Sequence, residues 1–501
     1  MVMSAGFIFL GWPVAEAKEL AAVTVTLREE PVGAAIPDGF TGLSFEESRL
    51  LPATNGVRYF RPDNQPLINW FSTLGIRSLR LGGNTSDRDA QPDQLPGPAD
   101  WESFFAFAKL AKVKVIYGLQ LYRGDAARNA QTVKYLMDHY APQIEAFAIG
   151  QEPSAYPVAV ADTRPNHQKM GPEVERFAYS TYAQEWKRFA ETIATAVPGV
   201  KFCGPGVHNN APWNQKFIAE FGQSNRVALI TAHLYPGGAG DKVVNPEIGR
   251  RQMLSDQFLQ TYKKLHDGFV PQAVANGLPY RLEEVNSFYN AGAAGVSDSF
   301  AAALWGLDFM YWWAEHGAAG LNFHTGDQVA AGANLRPARY AVFLSGANGY
   351  QARPLAYGLK AFNLGAHGKI LPVEISNPQQ VNVNAYATLD EQGAVYITLI
   401  NKENGSDAHD VSVNIQTGHR NKRTGQIICL NAPQTDVAAT SGGMLGGREI
   451  SSTGDFAENW SPISITSGAA GVENCQVDVP ASSAVIIKLT PVNLLEASAN
   501  H

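Results

Sequence analysis

Cysteine is scarce in this chain, with three in 501 residues: Cys203, Cys429 and Cys475. Three is too few for a disulfide framework, and the odd number leaves at least one thiol unpaired. Cys429 and Cys475 share the C-terminal region, and their spacing leaves a bridge between them open. Charge is sparse too, at 17 % of residues, and the net value of −7 offers no basic field for nucleic acid. The same acidic excess repels polyanions at long range, so an acidic ligand must be recognised locally. No stretch beyond the N-terminus reaches the ~18 uninterrupted apolar residues of a membrane span. There is no His-x-x-x-His, no cysteine pair and no Asp-rich loop with ligand spacing. His233 and His324 therefore read as strand-end residues, with no metal expected. Pro-Gly-Gly-Ala-Gly at 236–240 precedes no Lys-Ser/Thr and reads as a flexible rim loop. Ser44 and Ser287 lack a Gly-x-Ser-x-Gly setting, which argues against an acyl-transfer triad.

What is present is core: 45 % of the residues are hydrophobic, enough for one large domain and a smaller partner. The first residues are apolar and end in Ala-Glu-Ala, which suits a secretory cleavage after Ala17 and hence an exported protein. From about residue 40 to 330, short apolar runs at 42–46, 78–81, 113–119, 146–149, 201–203, 228–233, 280–284 and 320–323 alternate with helical stretches such as 101–111 and 176–197. Eight such runs, most of them continuously apolar, predict the parallel strands of a (β/α)₈ barrel. Trp312 and Trp313 fall in a helical stretch and read as core. Beyond about 370 the pattern changes to β-formers between Gly, Asn and Asp turns, at 381–389, 394–399, 411–415 and 483–489. That is the signature of a β-sandwich. A lone strand at 22–27 would have bare edges, so it is expected to join the C-terminal sheet. The resulting division is a signal peptide at 1–17, a strand segment at 18–37, the barrel at 38–368 and the β-domain at 369–501.

Two glutamates close short strands within this barrel. Glu152 ends Ala-Ile-Gly-Gln-Glu (148–152), and Glu284 lies in Tyr-Arg-Leu-Glu-Glu-Val-Asn-Ser (280–287). Carboxyls at the C-terminal ends of two barrel strands are what double-displacement hydrolysis of a glycosidic bond requires, one as proton donor and one as nucleophile. Because neighbouring strand side chains alternate, only one of Glu283 and Glu284 is expected to face a sugar. The other is expected in a salt bridge beneath it.

Gly-Gln-Glu-Pro (150–153), His-Leu-Tyr (233–235) and Glu-Val-Asn-Ser-Phe-Tyr-Asn (284–290) resemble motifs of glycoside hydrolase family 79, the heparanase and bacterial β-glucuronidase group of the retaining (β/α)₈ superfamily. The resemblance implies Glu152 as acid/base, Glu284 as nucleophile, and Tyr235 as the hydroxyl that keeps the nucleophile ionised. Asparagine usually precedes the acid/base; here Gln151 stands there, one methylene longer, and is expected to bind substrate at some cost in alignment. Tyr289, the amide of Ala291 and Tyr340 are implied as the receptors of a sugar carboxylate. Glu46 and Asn84, at the ends of strands one and two, are candidates for binding sugar hydroxyls or for structural roles. The implied reaction is retaining exo-hydrolysis of terminal β-linked glucuronic acid, without cofactor and without nucleic-acid or membrane partners. An endo-acting enzyme on an acidic polysaccharide, and a catalytically silent carbohydrate-binding protein, are the alternatives.

Overall fold

Eight parallel strands close into a barrel in sequence order: Thr41–Glu46, Ser78–Gly82, Lys114–Leu119, Ile144–Ile149, Phe202–His208, Val227–Leu234, Tyr280–Val285 and Gly320–His324. This computed structural model describes residues 20–28, 30–91, 94–157, 177–331, 334–417, 422–467 and 473–492. All eight expected strands are found, most within two residues of the expected ends. The fifth runs on to His208, past Gly204, Pro205 and Gly206 beyond its expected end at 203; a register shift between Pro205 and Val207 carries the ladder through them. Helices Pro98–Ala111 and Tyr179–Ala196 cover the barrel with the apolar stripes that the spacing predicted, and Trp313 is buried while Trp312 packs half-buried against it. Among the described residues no helix is long and apolar enough to cross a membrane. The cleavage expected after Ala17 falls outside the described residues.

The C-terminal region forms two sheets. Ala21–Leu27 does join it, parallel to Val411–Gln416 and antiparallel to Val373–Ser376, within a five-stranded sheet. The second sheet has eight strands and is buried on both faces. Alternation explains how: Val395, Ile397 and Leu399 face the five-stranded sheet, whereas Thr398 and Ile400 face the barrel helices. Across that second face Asp308 of helix Ala301–Glu315 accepts from Tyr386 at 2.7 Å, from Asn384 at 2.6 Å and from Lys402 at 2.9 Å. Among the strands that escaped the sequence pattern, the two longest are Arg423–Asn431 and Glu473–Val479, because Gly425 in one and the outward Asn474, Gln476 and Asp478 in the other dilute their β-formers. Cys429 and Cys475 sit on these two strands in opposite sheets, and both are free thiols.

Val25 is fully buried between the sheets, whereas Ala22 on the same strand is exposed. Val25→Asp places an unpaired charge in the core and is expected to destabilise the protein by about 3–5 kcal/mol. Ala22→Asp should stay within about 0.5 kcal/mol. Equal shifts of the two variants in denaturant unfolding would contradict the register.

Candidate active site

The loop after the fourth strand is built to present a carboxyl. Gly150 takes φ +94°, and a Cβ there would meet the Tyr156 hydroxyl at 2.8 Å, so the chain can turn here only through glycine. Glu152 follows in the left-handed region at φ +46°, an uncommon conformation for a side chain of its size, held by its amide bond to Gly206 O at 3.2 Å. Behind the loop, buried Asp87 accepts from the amides of Leu121 (2.8 Å), Tyr122 (2.6 Å) and Gln151 (2.8 Å), and from the Tyr156 hydroxyl. One carboxylate thus ties together the loops after strands two, three and four.

The seventh strand departs from plain alternation. Its neighbours pair Ala232 with Leu282 but His233 with Glu284, and Leu321 with Leu282 but Phe323 with Val285, so one residue is extra on this strand. Such a bulge re-aims side chains. Glu283 and Glu284 therefore both face the barrel interior, where plain alternation would have sent them to opposite sides. Glu283 lies one layer lower, with its oxygens 3.7 Å from His233 Nε2 and 3.8 Å from Cys203 Sγ. That matches the salt bridge expected beneath the site.

Glu284 is gripped from three sides. Arg80 Nη1 donates to Oε2 at 2.7 Å, Gln151 Nε2 to the same oxygen at 3.0 Å, and the Tyr235 hydroxyl to Oε1 at 2.8 Å. Burial alone would raise its pKa. The charges of His324, His233 and Arg80 and the Tyr235 hydrogen bond outweigh burial and hold Glu284 far below the ordinary carboxylate range. Arg80 was not foreseen, although an isolated arginine inside the apolar run Ser-Leu-Arg-Leu is itself a signal. It is 1 % exposed, and its second arm binds the carbonyl of the Gln151 side chain. The amide of Gln151 is thus used on both ends to lock arginine and glutamate together.

His233 is the other residue the sequence reading undervalued. It is fully buried, with Nδ1 3.2 Å from Glu152 and 4.0 Å from Glu284. Burial works against its charge, but Glu284, Glu152 and Glu283 overcome burial and push its pKa up to about 9. Glu152 feels burial and the repulsion of Glu284 upward, yet the bond and charge of His233 keep it below its ordinary value. The two shifts together favour the proton of this pair on the imidazole. His208, half-buried against Tyr235 and Tyr289, is held below the ordinary histidine range mainly by burial.

The remaining candidates divide. Tyr340 is buried, packing beside Tyr235 and His324, and Tyr289 stands half-exposed over His208 and Tyr235. Ala291, at φ +68°, gives its carbonyl to Arg339, and its amide has no partner among the described residues. Glu46 accepts from Thr85 and from the amide of Ala330 and lies 3.6 Å from His324. Asn84 is engaged by Arg88 instead of facing the two glutamates. The 236–240 segment is not a loose rim: Gly237 bonds Ser287, and Gly238 and Gly240 exchange backbone bonds with Tyr289. It splints the loop that carries Tyr289. Glu152, His233 and Glu284 offer three ligand atoms within 4.8 Å of one another, the spacing of a metal site. The fixed guanidinium of Arg80 on Glu284 already supplies the cation there, and a second would be repelled.

Fold and site together define the glycoside hydrolase barrels. The family model "Glycosyl hydrolase family 79, N-terminal domain" matches residues 98–310 of this chain. The chain is similar to a β-glucuronidase of Neurospora crassa, 44 % identical over 61 % of this chain and 60 % of that one, and to a β-glucuronidase of Aspergillus niger, 25 % identical over 52 % and 53 %. The chain thus spans between half and three fifths of the length of these two relatives. Its fold matches the crystal structure of a 4-O-α-L-rhamnosyl-β-D-glucuronidase from Fusarium oxysporum, with a TM-score of 0.66 at 19 % identity over 93 % of this chain and 99 % of that one.

His233→Gln removes a cation that stabilises ionised Glu284. Loss of a nearby opposite charge raises a carboxyl pKa, so the acidic limb of the pH dependence of kcat/KM is expected to move up by about 1–3 pH units. A limb that stays in place would show that His233 does not set the charge of the site.

Proposed function

We propose that this chain hydrolyses terminal β-linked glucuronic acid by double displacement, as an exo-acting glycosidase. The observation that carries the reading is the spacing of the two glutamates, whose nearest oxygens lie within 4.8 Å of each other. Retaining enzymes hold their carboxyls about 5–5.5 Å apart, and inverting enzymes leave about 6.5–9.5 Å for a water. Glu284, ionised and fixed by Arg80 and Tyr235, attacks the anomeric carbon while Glu152 protonates the leaving oxygen. Glu152 is the more open of the pair, its side chain 19 % exposed against 7 % for Glu284. A sugar that replaces water around Glu152 raises its pKa and draws the shared proton from His233 onto the carboxyl. Once Glu284 is esterified its repulsion is gone, Glu152 returns to a base, and it takes a proton from the attacking water.

The glucuronide part of the reading is supported by the β-glucuronidase relatives and by three groups on one side of the pocket: the Tyr289 hydroxyl, the Ala291 amide and the Tyr340 hydroxyl. Neutral donors of this kind suffice for a carboxylate, because hydrogen bonds to a charged acceptor are about twice as strong as neutral ones. Gln151 retains one amide hydrogen beyond its bond to Glu284, available to the 2-hydroxyl of the sugar.

The test is release of 4-nitrophenol from the β-D-glucuronide, with the β-glucoside and β-galactoside as controls. Turnover is expected on the glucuronide, to be lost in Glu284→Gln. Absence of turnover on all three glycosides would favour the silent binding protein or the endo-enzyme. Tyr289→Phe is expected to raise KM for the glucuronide about tenfold or more, the worth of one hydrogen bond to a charged group. An unchanged KM would remove Tyr289 from the carboxylate pocket.

A further inference from the structure

Glu283 is a buried carboxylate to which double displacement gives no task. It is 1 % exposed, yet Oε1 has no hydrogen-bond partner among the described residues and Oε2 accepts only the weak Cys203 thiol at 3.8 Å. Glu284, the next residue, has three donors within 3.0 Å. An ionised carboxylate is tolerated inside a barrel only beside a partner charge, and an unsatisfied buried group calls for a cause. Among the described residues, the one cationic nitrogen within 4 Å is His233 Nε2, 3.7 Å from Oε1. Nδ1 of the same ring lies 3.2 Å from Glu152 Oε1, so each nitrogen of His233 faces a carboxylate and pairs with it only while it carries a proton. Nε2 has no hydrogen-bond partner, nor has the nearby Thr231 hydroxyl. The three orphaned atoms converge: a Cβ on Gly206 would come 2.8 Å from Glu283 Oε1, 3.5 Å from His233 Nε2 and 3.8 Å from Thr231 Oγ1. Only glycine leaves this junction open, and the Gly206 carbonyl also accepts the Glu152 amide at 3.2 Å.

Resting on the glucuronidase reading, we propose that Glu283 is a positioning residue for the acid/base: paired with the proton on Nε2 of His233, it leaves Nδ1 as the nitrogen that lends a proton to Glu152 and takes it back. One proton makes the circuit. It passes from Nδ1 to Glu152 Oε1 and on to the leaving oxygen, as the bond from that oxygen to the anomeric carbon breaks and Glu284 bonds the carbon. The imidazole is then neutral, with its remaining proton on Nε2. In the second step water bonds the anomeric carbon as the ester to Glu284 breaks, and the proton that water releases returns through Glu152 to Nδ1. A carboxylate behind an imidazole fixes its tautomer in the same manner in the serine hydrolases. The other ionisable groups around the pair are Glu284 and Arg281 on strand seven, Arg80 on strand two, Cys203 and His208 on strand five, and Tyr182 of the helix Tyr179–Ala196. None of them hydrogen-bonds Nε2.

Proton donation matters far more for the departure of phenol, a poor leaving group, than for that of 2,4-dinitrophenol, a good one. Glu283→Gln is therefore expected to lower kcat/KM on phenyl β-D-glucuronide about tenfold or more beyond its loss on the 2,4-dinitrophenyl glucuronide. Glu283→Asp, which keeps the charge one methylene further from the ring, should fall between wild type and Glu283→Gln. In the wild type at about pH 8, where an ordinary histidine is neutral, nitrogen-15 NMR of labelled histidine is expected to show an imidazole protonated on both nitrogens, a signal absent from Glu283→Gln. Glu283→Asp and the wild-type spectrum carry the test if Glu283→Gln does not fold. Equal losses on the two glucuronides in the Glu283 variants, or no doubly protonated imidazole in the wild type, would overturn the inference and leave the glucuronidase reading standing. No turnover of either glucuronide by the wild type would overturn both.

Discussion

The site depends on keeping one buried carboxylate, Glu284, ionised. Removing a charge from water costs several kcal/mol, repaid only by close partners in good geometry. Arg80, His233 and the Tyr235 hydroxyl provide that repayment. Their positions in turn account for much of the local architecture. Arg80 requires an inward-facing place on strand two, and Gln151, locked between Arg80 and Glu284, requires the turn at Gly150. Asp87, itself on the loop after strand two, braces that turn by accepting amides from the two loops that follow. The bulge on strand seven lets Glu283 and Glu284 face inward together, so that His233 is held by carboxylates on both of its ring nitrogens.

This arrangement also reinterprets the departure at Gln151. The extra methylene, which raised doubt about alignment with a sugar hydroxyl, lets the amide span from the guanidinium of Arg80 to Glu284. The position serves Glu284 directly.

The barrel strands and the two glutamates were legible because they depend on local pattern: apolar runs of strand length, helical spacing between them, and turn residues after each. The N-terminal strand was legible because bare edges need covering. Arg80, Asp87 and His233 were not, since each acts through partners distant in sequence, and nothing near His233 distinguishes an ion-paired imidazole from a packed one. The bulge at Glu283 was hidden for a related reason: two adjacent glutamates imply a choice under alternation, and only the neighbouring strands reveal the extra residue. The strand at Arg423–Asn431 was lost because its buried partners lie in two different layers, so no simple period survives.

The central claim is that Glu284 forms a covalent bond to the sugar. Incubation with an activated 2-deoxy-2-fluoro-β-D-glucuronide, whose slowed second step accumulates the glycosyl-enzyme, followed by proteolysis and mass spectrometry, tests it directly. One added fluoroglucuronyl group per chain is expected, on the peptide containing Glu284. A label on Glu152 or Glu283, or turnover of the parent glucuronide with inversion and no adduct, would contradict it.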